Sequence, residues 1–136
     1  MIQRIQSVWL LLAAVCSFLT FRISFYYGMK AGGTINEALN ATSSILLIIC
    51  AAVTGLGSFI AIFLFKDRKT QIRVSAIALI FSILSLVIYF SQIKNYSDGR
   101  FTLTAIVSII IPVFLILAIR GTWKDQKLVK SLDRLR

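Results

Sequence analysis

Residues 43–73 read SSILLIICAAVTGLGSFIAIFLFKDRKTQIR, an apolar run followed at once by a basic connection. The run contains no charged residue before Lys66, and its length suits a helix that crosses a bilayer with roughly 20 apolar residues. Four basic residues then follow within residues 66–73. Because Lys and Arg are retained on the cytoplasmic side of a membrane, this stretch predicts a transmembrane helix that ends in the cytoplasm.

The same pattern of apolar runs and basic connections extends over the whole chain. The predicted transmembrane spans cover about residues 5–24, 43–65, 74–93 and 101–119. Eleven of the 15 basic residues lie in the N-terminal segment, the connection 66–73 or the C-terminal tail, so both termini are predicted to be cytoplasmic. A hydrophobic content of 58% with a mean hydropathy of +0.87 excludes an ordinary soluble domain. We therefore predict an all-α membrane protein with four transmembrane helices in a bundle.

The chain is predicted to divide into a four-helix transmembrane domain, residues 1–121, and a cytoplasmic amphipathic tail helix, residues 122–136. Thr122 to Asp125 match a capping box, which typically begins a helix. Four apolar residues then lie opposite three basic ones: Leu128, Val129, Leu132 and Leu135 against Lys127, Lys130 and Arg134. The tail helix would lie on anionic lipid or dock on protein, and lipid contact is the simpler explanation for a basic stripe.

Small and polar residues in the predicted spans indicate helix packing. The residues assigned to packing are Ala51, Gly55, Gly57, Ala61, Ser75, Ser82, Ser85 and Pro112. The three serines belong to a stripe on the third helix with alternating spacings of four and three residues, which should face protein rather than lipid. A packed interior, with hydroxyls bonded to their own helix, is favoured over a polar pathway. Pro112 predicts a kink.

Little structure is predicted for the other two connections, which join the first span to the second and the third span to the fourth. The first, about residues 24–36, carries Tyr26 and Tyr27 followed by glycines, which suits an interfacial aromatic anchor and a flexible turn. We expect no folded domain on that side. Arg22 either extends to the headgroups or is buried against a partner, and the neighbouring tyrosines favour the first arrangement.

Catalytic, metal and nucleic-acid chemistry are all disfavoured by composition. The chain has no His, and its five carboxylates lie outside the predicted spans, so we expect no enzyme and no cofactor. Cys16 and Cys50 lie inside spans and suggest neither a disulfide framework nor a metal site. The net charge of +10 is concentrated at the ends of spans, where anionic headgroups are the expected counter-charge, so no nucleic-acid partner is predicted.

Three segments together resemble a known family. These are the head MIQRIQSVWLLLAA (residues 1–14), the connection FKDRKTQIR (65–73) and the tail KDQKLVKSLDRLR (124–136). They are similar to the Bacteroidota four-helix inner-membrane family catalogued as domain of unknown function 4293. The resemblance covers essentially the full length. It implies a multi-pass protein of the bacterial cytoplasmic (inner) membrane and supplies no activity.

These observations predict a non-enzymatic accessory or scaffold subunit of a larger membrane complex. The predicted contacts with anionic headgroups or a membrane-protein partner are Gln3, Arg4, Lys66, Arg68, Lys69, Arg73, Lys127, Lys130 and Arg134. The alternative is a small oligomeric transporter or channel, in which the serine stripe of the third helix would line the pore.

Overall fold

The computed structural model describes residues 2–30, 32 and 36–133. Its elements, in chain order, are α1 (Ile2–Leu19), β1 (Tyr26–Lys30), β2 (Asn36–Leu39), a 3-10 turn (Ala41–Ser43), α2 (Ile45–Phe63), a second 3-10 turn (Leu64–Lys66), α3 (Arg68–Ile93), β3 (Tyr96–Phe101) and α4 (Ala105–Asp133).

The four helices form a ring in which each packs against two neighbours. α1 packs against α2 and α4, and α3 packs against the same two helices. Three of the helices, α2, α3 and α4, are long and apolar enough to cross a membrane. Many large apolar side chains point outward from them, including Ile45, Phe63 and Ile80. The bundle therefore has the apolar outer surface that is typical of membrane proteins.

The chain is not purely helical, because a three-stranded antiparallel sheet lies at one end of the bundle. The strand order is β2-β1-β3, and the register pairs Tyr26 with Leu39 on one side and with Phe101 on the other. β1 and β2 belong to the connection between α1 and α2, whereas β3 belongs to the connection between α3 and α4. The prediction of a mostly helical chain with four helices is confirmed. The two connections for which little structure was predicted instead pair with each other in this sheet.

We call the end that carries the sheet the sheet end, and the opposite one the terminal end. The terminal end contains the start of α1, the turn between α2 and α3, and the end of α4. A hydrogen bond links two of these elements: Nη1 of Arg68 donates to the backbone carbonyl of Asp125, with 3.0 Å between nitrogen and oxygen. This arrangement follows from the alternating directions of the four helices, since each connection returns the chain to the opposite end of the bundle.

The interior of the bundle is built in layers. Toward the terminal end an apolar cluster is made of small and branched residues: Leu10, Ala13, Ala61, Ala78, Ile111, Leu115 and Ala118. At the sheet end a second cluster is richer in aromatic rings: Phe25, Tyr26, Leu39, Leu47, Tyr89 and Ala105. Between the two clusters every helix contributes a buried hydroxyl side chain: Ser17, Thr54, Ser82 and Ser108. The hydroxyl layer therefore lies at mid-depth of the bundle.

α1 is shorter than the first span that the sequence predicts. Its apolar part is Ile5–Leu19, which is 15 residues. At about 1.5 Å per residue such a helix covers roughly 22 Å, less than the ~30 Å of a hydrocarbon core. The prediction placed residues 20–24 in the span, but their chain turns there: the amides of Arg22 and Ile23 both donate to the carbonyl of Leu19. Ser24 is then held by Thr104, whose hydroxyl donates to its carbonyl over 2.6 Å.

The tail is not a separate helix. α4 continues without interruption from Ala105 to Asp133, through Pro112 and Gly121. Thr122 does not cap a helix start, since its hydroxyl donates to the carbonyl of Ala118, one turn earlier in the same helix, over 2.9 Å. The predicted boundary at residue 122 was therefore wrong: the residues that matched a capping box lie in mid-helix.

Candidate functional site

The predicted contact residues that the structure describes all belong to the terminal end. Lys66 lies in the turn after α2, Lys69 and Arg73 lie on α3, and Lys127 and Lys130 lie on α4; all five are exposed. Gln3 and Arg4 belong to the first turn of α1, and Arg134 lies outside the described residues. The structure therefore brings these five basic side chains to one end of the molecule, on three different elements.

Arg68 differs from the other basic residues because it is half-buried. Its bond to the carbonyl of Asp125 ties the start of α3 to the last part of α4. The side chains of Thr122 and Asp125 are 2% and 8% exposed at this level, so α4 is still packed against the bundle here. Arg68 therefore acts at least in part as a structural link.

Beyond Asp125, α4 projects from the bundle. Lys127 to Ser131 are all exposed, and the eight residues that remain of the helix extend about 12 Å at 1.5 Å per residue. Leu128 and Val129 are 48% and 44% exposed, although both are apolar. We call residues 126–133 the projecting segment. It presents apolar and basic side chains that the rest of the chain does not cover.

A shallow groove follows the outer face of α4 into the projecting segment. It has a volume of about 570 Å³ and is lined by Arg120, Trp123, Lys124, Gln126, Lys127 and Lys130. Trp123 is 70% exposed. An exposed indole beside four cations is an arrangement suited to anionic headgroups or to an acidic protein surface.

The serine stripe of α3 faces the interior of a single chain. Ser75 and Ser82 are both 2% exposed, and Ser85 is half-buried. The hydroxyls of Ser82 and Ser85 donate to carbonyls of their own helix, those of Leu79 and Ser82. The cavity beside them has a volume of about 10 Å³, the size of one water molecule. These serines of the stripe are therefore packed inside the bundle, and the cavity beside Ser82 and Ser85 is too small for a channel.

The other residues assigned to packing lie at contacts between helices. Ser17 of α1 donates to the carbonyl of Ala51 on α2 over 2.8 Å, which needs the close approach that a small residue allows. A Cβ at Gly55 would meet the ring of Phe18 on α1, and one at Gly57 would meet Ala78 on α3. Ala61 and Pro112 are buried.

Potential metal ligands do not cluster in the described part of the chain. Within residues 2–30, 32 and 36–133 no three His, Cys, Asp or Glu side chains come together as a metal site. Cys16 of α1 and Cys50 of α2 are free thiols.

Two features of the terminal end were not predicted from the sequence. The first is the projection of α4, which depends on α4 being longer than its neighbours. The second is the burial of Gln6, whose side chain packs where Gly121 of α4 lacks a Cβ; a Cβ there would lie 2.9 Å from Cγ of Gln6. No pattern in the sequence indicates that a glutamine one turn after the helix start packs against a distant glycine.

Comparison with known proteins gives a match to one family model. No curated protein and no solved structure gives a significant match. The family model described as Domain of unknown function (DUF4293) matches residues 2–135, almost the full length, and this match confirms the resemblance noted in the sequence. The chain therefore belongs to the DUF4293 family.

Proposed function

We propose that this protein is a non-enzymatic accessory or scaffold subunit of a larger complex in the bacterial cytoplasmic membrane, and that it binds its partner at the terminal end. The observation that carries the proposal is the projecting segment, where Leu128 and Val129 are exposed between Lys127 and Lys130. Apolar side chains on a helix outside its own bundle are typical of a surface that another protein covers.

The proposal places the terminal end in the cytoplasm. Most basic residues belong to the N-terminal segment, the turn between α2 and α3, and the second half of α4, and Lys and Arg near span ends are retained inside. With this orientation the exposed cations at positions 66, 69, 73, 127 and 130 face anionic headgroups and cytoplasmic partner surfaces. The sheet end then faces the periplasm.

The rival function, a small oligomeric transporter or channel, is supported by no comparable feature. A pore between copies of the chain needs polar side chains on the outside of the bundle. Ser75 and Ser82 instead point into it, with the hydroxyl of Ser82 bonded to its own helix. An ion-coupled transporter also usually needs an ionisable group within the membrane. We therefore prefer the accessory role.

Co-purification in mild detergent tests the accessory role. The full-length protein, expressed in its own bacterium, should retain a stoichiometric heterologous membrane protein. The double variant Leu128→Glu/Val129→Glu should lose that protein, because carboxylates would be placed in the apolar contact. Exposed helix positions tolerate such changes, so the variant should keep its helical circular dichroism and its own yield.

A charge-matched pair supplies the control. Lys127→Gln/Lys130→Gln should weaken retention of the partner, whereas Lys94→Gln/Arg100→Gln removes the same charge at the sheet end and should leave it unchanged. Recovery of the wild-type protein only as a homo-oligomer would count against the accessory role, as would equal retention by all variants.

A further inference from the structure

A second cleft at the terminal end lies between α1 and the turn from α2 to α3. It has a volume of about 420 Å³. Its polar lining is Gln6 and Ser7 of α1 with Arg68 and Gln71 of α3, and its apolar lining is Ile62, Phe63 and Phe65. The cleft therefore combines a few polar side chains with one apolar wall, on three different elements.

The polar lining contains an amide that is buried without a partner. Gln6 is 5% exposed, and its Nε2 has no hydrogen-bond partner among the described residues. Gln71 is 4% exposed on the opposite side of the cleft. A buried N–H donor without an acceptor destabilises a fold, so a buried donor that lines a cleft indicates a missing acceptor.

The position of Gln6 is built into the packing of two helices. Gly121 of α4 provides the space, since a Cβ there would lie 2.9 Å from Cγ and 3.5 Å from Nε2 of Gln6. The amide is thus held beside the cleft by a neighbouring backbone rather than extended into solvent. A site that fixes its donor in this way is pre-organised for a ligand.

The charge of the lining selects an anion. Among the described residues that line the cleft, Arg68 is the only charged one, and none is a carboxylate. One of the five N–H groups of Arg68 is bonded to the carbonyl of Asp125, which leaves others for a ligand. Arginine N–H groups and amides together are well suited to phosphate oxygens, whereas a cationic headgroup would find no carboxylate here.

The apolar wall identifies the source of the phosphate. Phe63 and Phe65 are 66% and 53% exposed, and Phe63 continues the apolar outer surface of α2. A free phosphate makes no use of such a wall, but an acyl chain beside a headgroup does. We propose that this cleft binds the phosphodiester of an anionic glycerophospholipid, with Gln6 and Arg68 as donors and the acyl chain along Phe63 and Phe65.

This inference rests on the proposed placement of the terminal end among headgroups, and not on the accessory role. The site is distinct from the projecting segment, since Lys127 and Lys130 do not line it. Lipid binding at the cleft and partner binding at the projecting segment can therefore fail independently.

Native mass spectrometry of the delipidated full-length protein in detergent tests the site. Phosphatidylglycerol should bind more tightly than phosphatidylcholine of the same chain length. Gln6→Leu should weaken phosphatidylglycerol binding about tenfold, the scale expected for lost hydrogen bonds to a charged group. The lipid-free Gln6→Leu protein should be at least as stable as the wild type, because the variant removes a buried unpaired donor.

A matched control makes the result specific. Gln92→Leu makes the same substitution on a half-buried residue at the sheet end and should leave lipid binding unchanged. Equal binding by wild type and Gln6→Leu would overturn the proposal, and so would equal affinity for the two lipids. Inorganic phosphate should not displace the lipid; displacement at equal concentration would show that the site takes the free anion instead.

Discussion

The two ends of the bundle are held together by different interactions. At the sheet end, strands from two connections pair and an aromatic cluster fills the space beneath them; the rings of Phe25 and Tyr89 stack with centroids 4.5 Å apart. At the terminal end, Arg68 donates a hydrogen bond to the backbone of α4, and the buried amide of Gln6 lines a cleft. Buried polar atoms without a partner occur at both ends: Asn40 Oδ1 and Thr102 Oγ1 at the sheet end, and Gln6 Nε2 at the terminal end. The difference is that paired strands and aromatic rings close the sheet end, whereas the terminal end has a cleft and a projecting helix.

This difference separates stability from function. A closed aromatic end contributes to the free energy of unfolding and leaves few groups for a ligand. An end with exposed apolar residues, cations and an unpaired amide contributes less stability and provides binding surfaces. Substitutions at the sheet end should therefore change folding, whereas those at the terminal end should change what the protein binds.

The largest expected effect is the loss of an aromatic ring at the sheet end. Phe25 is 2% exposed and contacts the rings of Tyr89, Phe90 and Phe101. Phe25→Ala should lower the free energy of unfolding in mixed micelles by about 4 kcal/mol, because it leaves a large cavity. Phe65→Ala, at an exposed phenylalanine of the terminal end, should cost about 0.5 kcal/mol or less. Equal losses would contradict the contrast between the ends.

A smaller effect is expected from a glycine of β3. A Cβ at Gly99 would overlap the ring of Tyr26, which is itself packed against Tyr96 and Phe101. Gly99→Ala should therefore cost about 2 kcal/mol in the same unfolding assay. Gly57→Ala is the matched control, since its Cβ would make an ordinary contact of 3.4 Å with Ala78 and a helix favours alanine. An unchanged stability of Gly99→Ala would show that the sheet is not packed as described.

The smallest effect is expected from the hydrogen bond between Arg68 and the carbonyl of Asp125 at the terminal end. Arg68→Gln removes the bond to the carbonyl of Asp125 and should cost about 1 kcal/mol, the usual net value of one hydrogen bond. Hydrogen exchange of the amides around Asp125 in lipid-free detergent should become about fivefold faster. Arg73→Gln, on the exposed side of the same helix, should leave that exchange rate unchanged. If both variants behave alike, the loss of charge rather than of this bond is responsible.

The helices could be predicted because their signals are local. Apolar length indicated α2, α3 and α4, and the spacing of four and three residues along α3 identified a stripe of which Ser75, Ser82 and Tyr89 are buried. Basic residues in the short connections identified the terminal end as a distinct surface. These signals depend only on neighbouring residues in the chain, so a sequence contains them fully.

The sheet and the buried amide could not be predicted because their partners are distant. β1 pairs with β3 across about seventy residues, and the glycine that accommodates Tyr26 lies in β3. Read locally, Tyr26 and Tyr27 resemble an interfacial anchor. The packing of Gln6 on Gly121 is a comparable case between the first helix and the last. The residues of the tail matched a helix start, but α4 continues through Thr122 and past that position, where Arg68 of α3 donates to its backbone.

The orientation of the bundle is the central claim, and cysteine labelling in spheroplasts tests it most directly. In a background where Cys16 and Cys50 are replaced by Ala, Tyr27→Cys and Lys69→Cys place exposed thiols at the sheet end and at the terminal end. A membrane-impermeant maleimide should label Tyr27→Cys in intact spheroplasts and Lys69→Cys only after lysis. Labelling of Lys69→Cys before lysis, with Tyr27→Cys protected, would contradict the account.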